Sequence, residues 1–242
     1  MSFELTYTNF GADALLIEWP KRINSSISKD IHSLNEKVLK ECTFEVYESI
    51  PAYQSLTLFL HKRAIMEDFI VKVKKLYAID RVTVEKRAVL WKIPVCYDID
   101  FGWDIDAIAR SKEISISEVI QIHTKPIYCI SFLGFLPGFP YLEGLDTRLA
   151  VPRLSSPRTF IPKGSVAIGG SQTGVYTMES PGGWSIVGNT PVSLFSSEKD
   201  PPCFMKPGDR VQFFAISEKL HEKIMTEQEA GSYQIEKEVF HD

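Results

Sequence analysis

A chain of 242 residues, 44% of them hydrophobic, can bury the core of one large domain or two small ones, which excludes disorder as its default state. Its 27 basic and 31 acidic residues leave a net charge of −4, so no global field favours nucleic acid or an anionic membrane. The amino terminus lacks a basic start followed by an apolar run, no apolar run approaches the ~20 residues of a membrane span, and Cys42, Cys96, Cys129 and Cys203 form no CxxC pair and no zinc-ligand spacing, which together point to a cytoplasmic protein with reduced thiols and no metal.

Residues 3 to 8 and 13 to 19 alternate polar and apolar side chains and predict two strands joined at Asn9-Phe10-Gly11. The run NSSISKDIHSLNEKVLKE then sets Ile27, Ile31, Leu34 and Val38 at helical spacing, with Ser26 or Ser28 as the cap. TFEVYES and SLTLFLH, separated by IPAYQ, predict two more strands, and IMEDFIVKVKKLYA carries Ile65, Phe69, Val73, Leu76 and Tyr77 on one apolar stripe. RVTVEKRAVLWKIPVCYD adds one or two further strands. The order β-β-α-β-β-α describes a small α+β domain over residues 1–88, and core packing accounts for its apolar stripes.

Residues 89–242 have a different character. A helical pair, DIDAIARSKE and ISEVIQIHTK, the second capped by Ser115 or Ser117, precedes a tract in which Pro and Gly interrupt short extended runs every few residues from Tyr128 to Ile216. Frequent turns between short strands predict a closed or nearly closed β-barrel with small helices over its ends. The charged tail from Glu218 onward reads as a peripheral helix followed by a loose end.

Familiar catalytic signatures fail on spacing. In IPKGSVAIGG the lysine precedes the glycine, so there is no phosphate-binding loop, and in GGSQTG the second glycine falls one place too late for a nucleophile elbow at Ser171. His123 has no carboxylate at a spacing that would orient it locally, which makes it a hydrogen-bonded core histidine or, alternatively, a proton carrier. What remains is Arg153, Arg158, Lys163, Ser171, Gln172, Thr173, Tyr176 and Asn189 among glycines. Two readings stay open: a cleft in which glycine lets a carboxylate or phosphate approach the backbone and arginine grips it, or barrel corners stapled by arginines.

The stretch GFLPGFPYLEGLDTRLAVPRLSSPRTFIPKGSVAIGGSQTGVYTMESPGGWSIVGNTPVSLF resembles the signature of the family that includes the B component of 5-oxoprolinase, the kinase inhibitor KipI and allophanate hydrolase subunit 1. The resemblance extends through IPVCYDIDFGWDI and PPCFMKPGDRVQF, and more faintly through GADALLIEW and IPAYQSL. It implies a small α+β domain followed by an all-β cyclophilin-like barrel. It also implies a hydrolase function, as one subunit of an ATP-dependent cyclic amidase that opens 5-oxoproline to L-glutamate with two partner subunits and is inactive alone. ATP and Mg would be required by the complex, with no cofactor assigned to this chain by itself.

On that resemblance Arg153 and Arg158 face the substrate carboxylate or a phosphate, Gln172, Thr173 and Tyr176 position the ring, and His123 moves a proton. The stretch GFLPGFPYL, made rigid by Pro137, Gly138 and Pro140, would present Phe135, Phe139 and Tyr141, with Trp184, to the core or to a partner subunit. The alternative implied by the same family is a KipI-like module that docks on a sensor histidine kinase and blocks its autophosphorylation. Hydrolysis of allophanate by this chain itself ranks lowest, because the glycine- and serine-rich amidase signature is absent. Two positions depart from the family pattern: Lys163 stands where alanine is usual, and Asn189, which supplies a hydrogen bond without charge, stands where arginine is usual.

Overall fold

The computed structural model describes residues 3–20, 25–62, 64–79 and 88–240, and the chain divides into two compact units, Met1–Lys86 and Arg87–Asp242. In the first unit β1 (Thr6–Asn9), β2 (Ala14–Glu18), α1 (Ser25–Glu41), β3 (Val46–Pro51), β4 (Ser55–Leu60) and α2 (Met66–Ala78) follow the expected order. The strands form one antiparallel sheet in the order β1-β2-β4-β3. Strand periodicity decides which face is covered: Leu56, Leu58 and Leu60 alternate inward on β4, where they meet Ile27, Ile31, Leu34 and Val38 of α1 and Phe69 and Val73 of α2.

A buried carboxylate ties the helices to the sheet. Trp19 Nε1 and Tyr77 Oη each donate to Asp30 Oδ2 at 2.7 Å, linking the end of β2, α1 and α2 through one oxygen. The expected caps of α1 are corrected here: the helix already runs from Ser25, so Ser26 and Ser28 lie inside its first turn. The part of the next expected strand that falls on residues 81–87 lies outside the described residues.

The second unit contains β5 (Ala88–Cys96), α3 (Ile105–Ser111), α4 (Ile116–Thr124), β6 (Tyr128–Leu133), β7 (Pro140–Glu143), a 3-10 turn at Thr147–Leu149, β8 (Arg158–Ile161), β9 (Ser165–Gly169), β10 (Gln172–Val175), β11 (Ser180–Gly182), β12 (Ser185–Asn189), β13 (Arg210–Ile216), α5 (Glu218–Glu229) and β14 (Lys237–Phe240). Strands run β12-β9-β10-β7-β6-β13-β5, and Asn189 of β12 pairs with Cys96 of β5 to close a barrel. All these pairings are antiparallel except β13 with β5. Closure removes the free edges that short strands would otherwise expose. The interior is filled by Ile93, Val95, Ile130, Leu142, Val166, Ile168, Val175, Val187 and Phe213, with Val119 and Ile122 of α4 packed among them.

Ser115 is the cap of α4: its hydroxyl accepts from Glu118 N at 3.2 Å while Glu118 Oε2 accepts from Ser115 N at 2.8 Å. Ser115→Ala is therefore expected to cost about 1 kcal/mol, read as a lower urea midpoint at unchanged slope; an unaltered midpoint would refute the cap. The tail also differs from expectation. Beyond α5 the chain is ordered as β14, which pairs with β5 from Ala88 to Trp91, and Lys92 Nζ clamps Glu236 and Glu238 at 2.5 Å each. A stretch of exposed β5 edge and a cation between two carboxylates are what the local charge pattern did not disclose.

Candidate functional site

On β9 and β10 neighbouring residues point to opposite sides of the barrel wall. Val166, Ile168 and Val175 face the interior, whereas Ala167 and Tyr176 join Phe139, Ile161, Trp184 and Ile186 in a second apolar cluster outside the wall. The glycines make that cluster possible. A Cβ on Gly169 would lie 2.5 Å from the Trp184 ring, and one on Gly174 would lie 2.8 Å from Phe139. Aromatic faces therefore rest directly on backbone, and at these two positions glycine admits a ring, not a ligand.

The rings meet edge to face: Phe139 to Trp184 at 5.7 Å and 83°, Phe139 to Tyr176 at 5.4 Å and 85°, and Tyr141 to Trp184 at 5.9 Å and 77°. The loop between β6 and β7 closes over them, held where Thr177 Oγ1 donates to Pro137 O at 2.7 Å. Phe139 and Trp184 are buried in this cluster, whereas Phe135 and Pro137 are exposed and Tyr141 is half-buried. Phe135 is 61% exposed and sits at φ +68°, a left-handed backbone that a phenylalanine adopts only at a cost.

The two candidate arginines have different fates. Arg158 donates from Nη1 and Nη2 to the two carboxylate oxygens of Asp104, each at 2.8 Å, and lies 5.6 Å from the centre of the Trp103 ring. Asp104 Oδ2 also accepts from Ile186 N at 2.7 Å, so this pair fastens β8 and the start of α3 to β12. Arg153 instead lies 5.7 Å from the centre of the Trp184 ring. The backbone on both sides of it is fixed: Val151 and Gly170 exchange hydrogen bonds of 3.2 and 2.7 Å, and Leu154 N donates to Gly183 O at 2.7 Å. Gln172 is half-buried on the outward side of β10, and the Tyr176 hydroxyl is pushed up in pKa by burial.

His123 and Thr173 are on the other side of the wall. The His123 ring is fully buried, stacked on Phe213 at 4.9 Å, with Tyr97 Oη 2.7 Å from Nδ1 and Thr173 Oγ1 2.9 Å from Nε2. Thr173 donates its one hydroxyl proton to Ala167 O at 3.0 Å, which leaves it an acceptor toward the ring. The imidazole thus carries its proton on Nε2 and accepts from Tyr97 at Nδ1. Burial lowers its pKa to about 3, so the ring is neutral. The fold does not bring His123 and Thr173 together with Arg153, Gln172 and Tyr176, because residues 172 and 173 are adjacent on one strand and face opposite ways.

Asn189 is fully engaged: Nδ2 donates to Lys163 O at 2.9 Å and Oδ1 accepts from His221 Nε2 at 2.9 Å, which joins the Lys163 turn to α5. Lys163 Nζ donates to Ser193 Oγ at 3.0 Å. Among the described residues no three His, Cys, Asp or Glu side chains converge on a point where a metal ion would sit, and none of these lysine contacts forms a phosphate cradle; no step through Mg or ATP is assigned to this chain. Asp104 and Trp103 escaped the sequence reading, since nothing local announces a partner 54 residues away. No helix among the described residues is long and apolar enough to cross a membrane.

Residues 5–205 match the family described as the carboxyltransferase domain, subdomain C and D. The chain is 36% identical over 237 residues to the B component of 5-oxoprolinase from Bacillus subtilis, a match covering 90% of this chain and 96% of that protein. A conserved uncharacterized protein from Pyrococcus horikoshii is 41% identical, with a TM-score of 0.53, over 89% of this chain and 100% of that one. The urea amidolyase of K. lactis gives a TM-score of 0.83 over 98% of this chain but only 16% of its own length; at 22% identity the likeness is one of fold alone.

Proposed function

The chain belongs to the carboxyltransferase-domain family of subdomains C and D, and from that membership we propose that it is a non-autonomous subunit of an ATP-dependent 5-oxoprolinase, opening 5-oxoproline to L-glutamate together with two partner subunits. The near full-length match to a protein named as one component of that enzyme supports the reading. The single structural observation that carries it is the pinned Arg153–Trp184 shelf on the outside of the barrel wall. It offers a cation and an aromatic ring, and among the described residues no carboxylate pairs with that cation, which suits one wall of a shared site.

The chemistry explains the need for ATP. A lactam amide resists water, and transfer of the γ-phosphoryl group to its carbonyl oxygen makes the carbon electrophilic. Water then adds at that carbon and the C–N bond breaks with the nitrogen taking up a proton, which leaves an acyl phosphate; a second water adds to its carbonyl carbon, and phosphate leaves with the former lactam oxygen. This chain's share is binding and orientation: Arg153 and Gln172 toward the substrate's polar groups, the half-buried Tyr141 ring toward its apolar face with the buried Tyr176 and Trp184 rings packed beneath, and Phe135 with Pro137 toward a partner subunit.

The exposed, strained Phe135 equally suits a second reading, in which a KipI-like surface docks on a sensor histidine kinase. The deciding assay is ATP-dependent release of glutamate from 5-oxoproline by the protein purified with its two candidate partners, each omitted in turn. Activity that needs all three chains supports the enzyme reading. An intact but inactive complex sinks it, and inhibition of kinase autophosphorylation then becomes the reading to measure.

A further inference from the structure

Among the described residues, the arginines separate by what already holds them. Arg110 is paired with Asp106, Arg148 with Asp146 and Arg158 with Asp104, and Arg210 donates to Cys129 Sγ and Gly208 O. Arg153 makes no hydrogen bond or ion pair among these residues, although its backbone is fixed on both sides and its guanidinium carbon lies over the Trp184 ring, 5.7 Å from the centre. A cation–π contact uses none of the guanidinium N–H donors in a hydrogen bond, which leaves its fork for a planar acceptor. The Tyr141 and Tyr176 hydroxyls lie in the field of this cation, and the Gln172 amide, on the same outward side of the wall, has no hydrogen-bond partner among the described residues.

We propose that Arg153 on its Trp184 shelf is the carboxylate-binding group of the site, taking a small-molecule carboxylate edge-on through two parallel N–H bonds, and that Arg158 is a positioning strut which does not contact substrate. This rests on the enzyme reading above for the identity of the carboxylate, that of 5-oxoproline. The pairing of Arg158 removes it from contention, since binding a substrate carboxylate there would require breaking a bidentate ion pair and leaving Asp104 uncompensated. Arg153 has no such competitor. A lysine in its place would keep the charge but lose the fork.

The test uses the three-chain complex and two readouts. In steady-state assays Arg153→Ala is expected to raise KM for 5-oxoproline by about 30- to 100-fold, with Arg153→Lys intermediate and free guanidinium ion partly restoring the alanine variant. Separately, 5-oxoproline should protect Arg153 of the wild-type complex from phenylglyoxal, measured by peptide mass spectrometry, while 2-pyrrolidinone, the same lactam without the carboxylate, should not. Protection in a complex that releases no glutamate would leave the carboxylate site standing and refute the reaction. An active complex in which KM is unchanged and Arg153 is equally modified with either lactam would overturn the proposal. So would failure of Arg153→Ala to co-purify with the partner chains, which would assign the arginine to a contact between chains.

Discussion

Replacing His123 with alanine is expected to destabilise the protein by about 3–5 kcal/mol, read from urea denaturation. Two costs combine. The first is a cavity in the barrel interior where the ring stacks on Phe213; the second is the loss of hydrogen-bond partners for the buried Tyr97 and Thr173 hydroxyls. A loss under about 1 kcal/mol would mean that the interior collapses onto the vacated space and that the hydroxyls find other partners.

The same ring makes a signed prediction in pH. Its folded pKa of about 3 lies below the 6.5 of an exposed histidine, so between those values the unfolded chain binds the extra proton. Stability from His123 is thus fully present above pH 6.5 and is lost as pH falls toward 3, with a limiting slope of about 1.4 kcal/mol per pH unit. His123→Gln keeps a donor and an acceptor but does not titrate. The stability advantage of the wild type over this variant should shrink steadily from pH 7 to pH 4, and parallel profiles would show that the ring is already protonated or accessible in the folded state.

Asp104→Ala is expected to cost about 2–4 kcal/mol. It strands the Arg158 guanidinium and the Ile186 amide together, and so loosens the attachment of β8 and α3 to β12. The figure stays below that of a fully buried pair because the Arg158 and Asp104 side chains retain 30% and 13% exposure, which lets water compensate part of the loss. A double-mutant cycle with Arg158→Met separates the pair from the rest: the coupling should exceed about 1 kcal/mol. A coupling near zero would mean that Asp104 acts through Ile186 alone and would return Arg158 to the groups available to substrate.

Local periodicity and turn chemistry were enough to read several elements of the fold directly from the residues. Ile27, Ile31, Leu34 and Val38 at helical spacing are the buried face of α1, alternation in SLTLFLH is the inward face of β4, and the dense Pro and Gly breaks after Tyr128 do accompany short strands closed into a barrel. These signals are legible because burial on one face repeats every 3.6 or 2 residues whatever the rest of the chain does. Composition could not say whether glycines in GGSQTG and its neighbours admit a ligand or a ring, nor which of Arg153 and Arg158 is occupied.

At Gly169 and Gly174, and for the pairing of Arg158, contacts between distant segments decide the matter. Strand register sets Trp184 on Gly169 and Phe139 on Gly174, and it turns Thr173 inward to His123, 50 residues away, while Gln172 faces out. The passage of α3 beside β12 delivers Asp104 to Arg158 and leaves Arg153 with an aromatic ring and no acid. Each of these long-range pairings is selected by the free energy of barrel closure and core packing as a whole, not by the residues on either side of each partner.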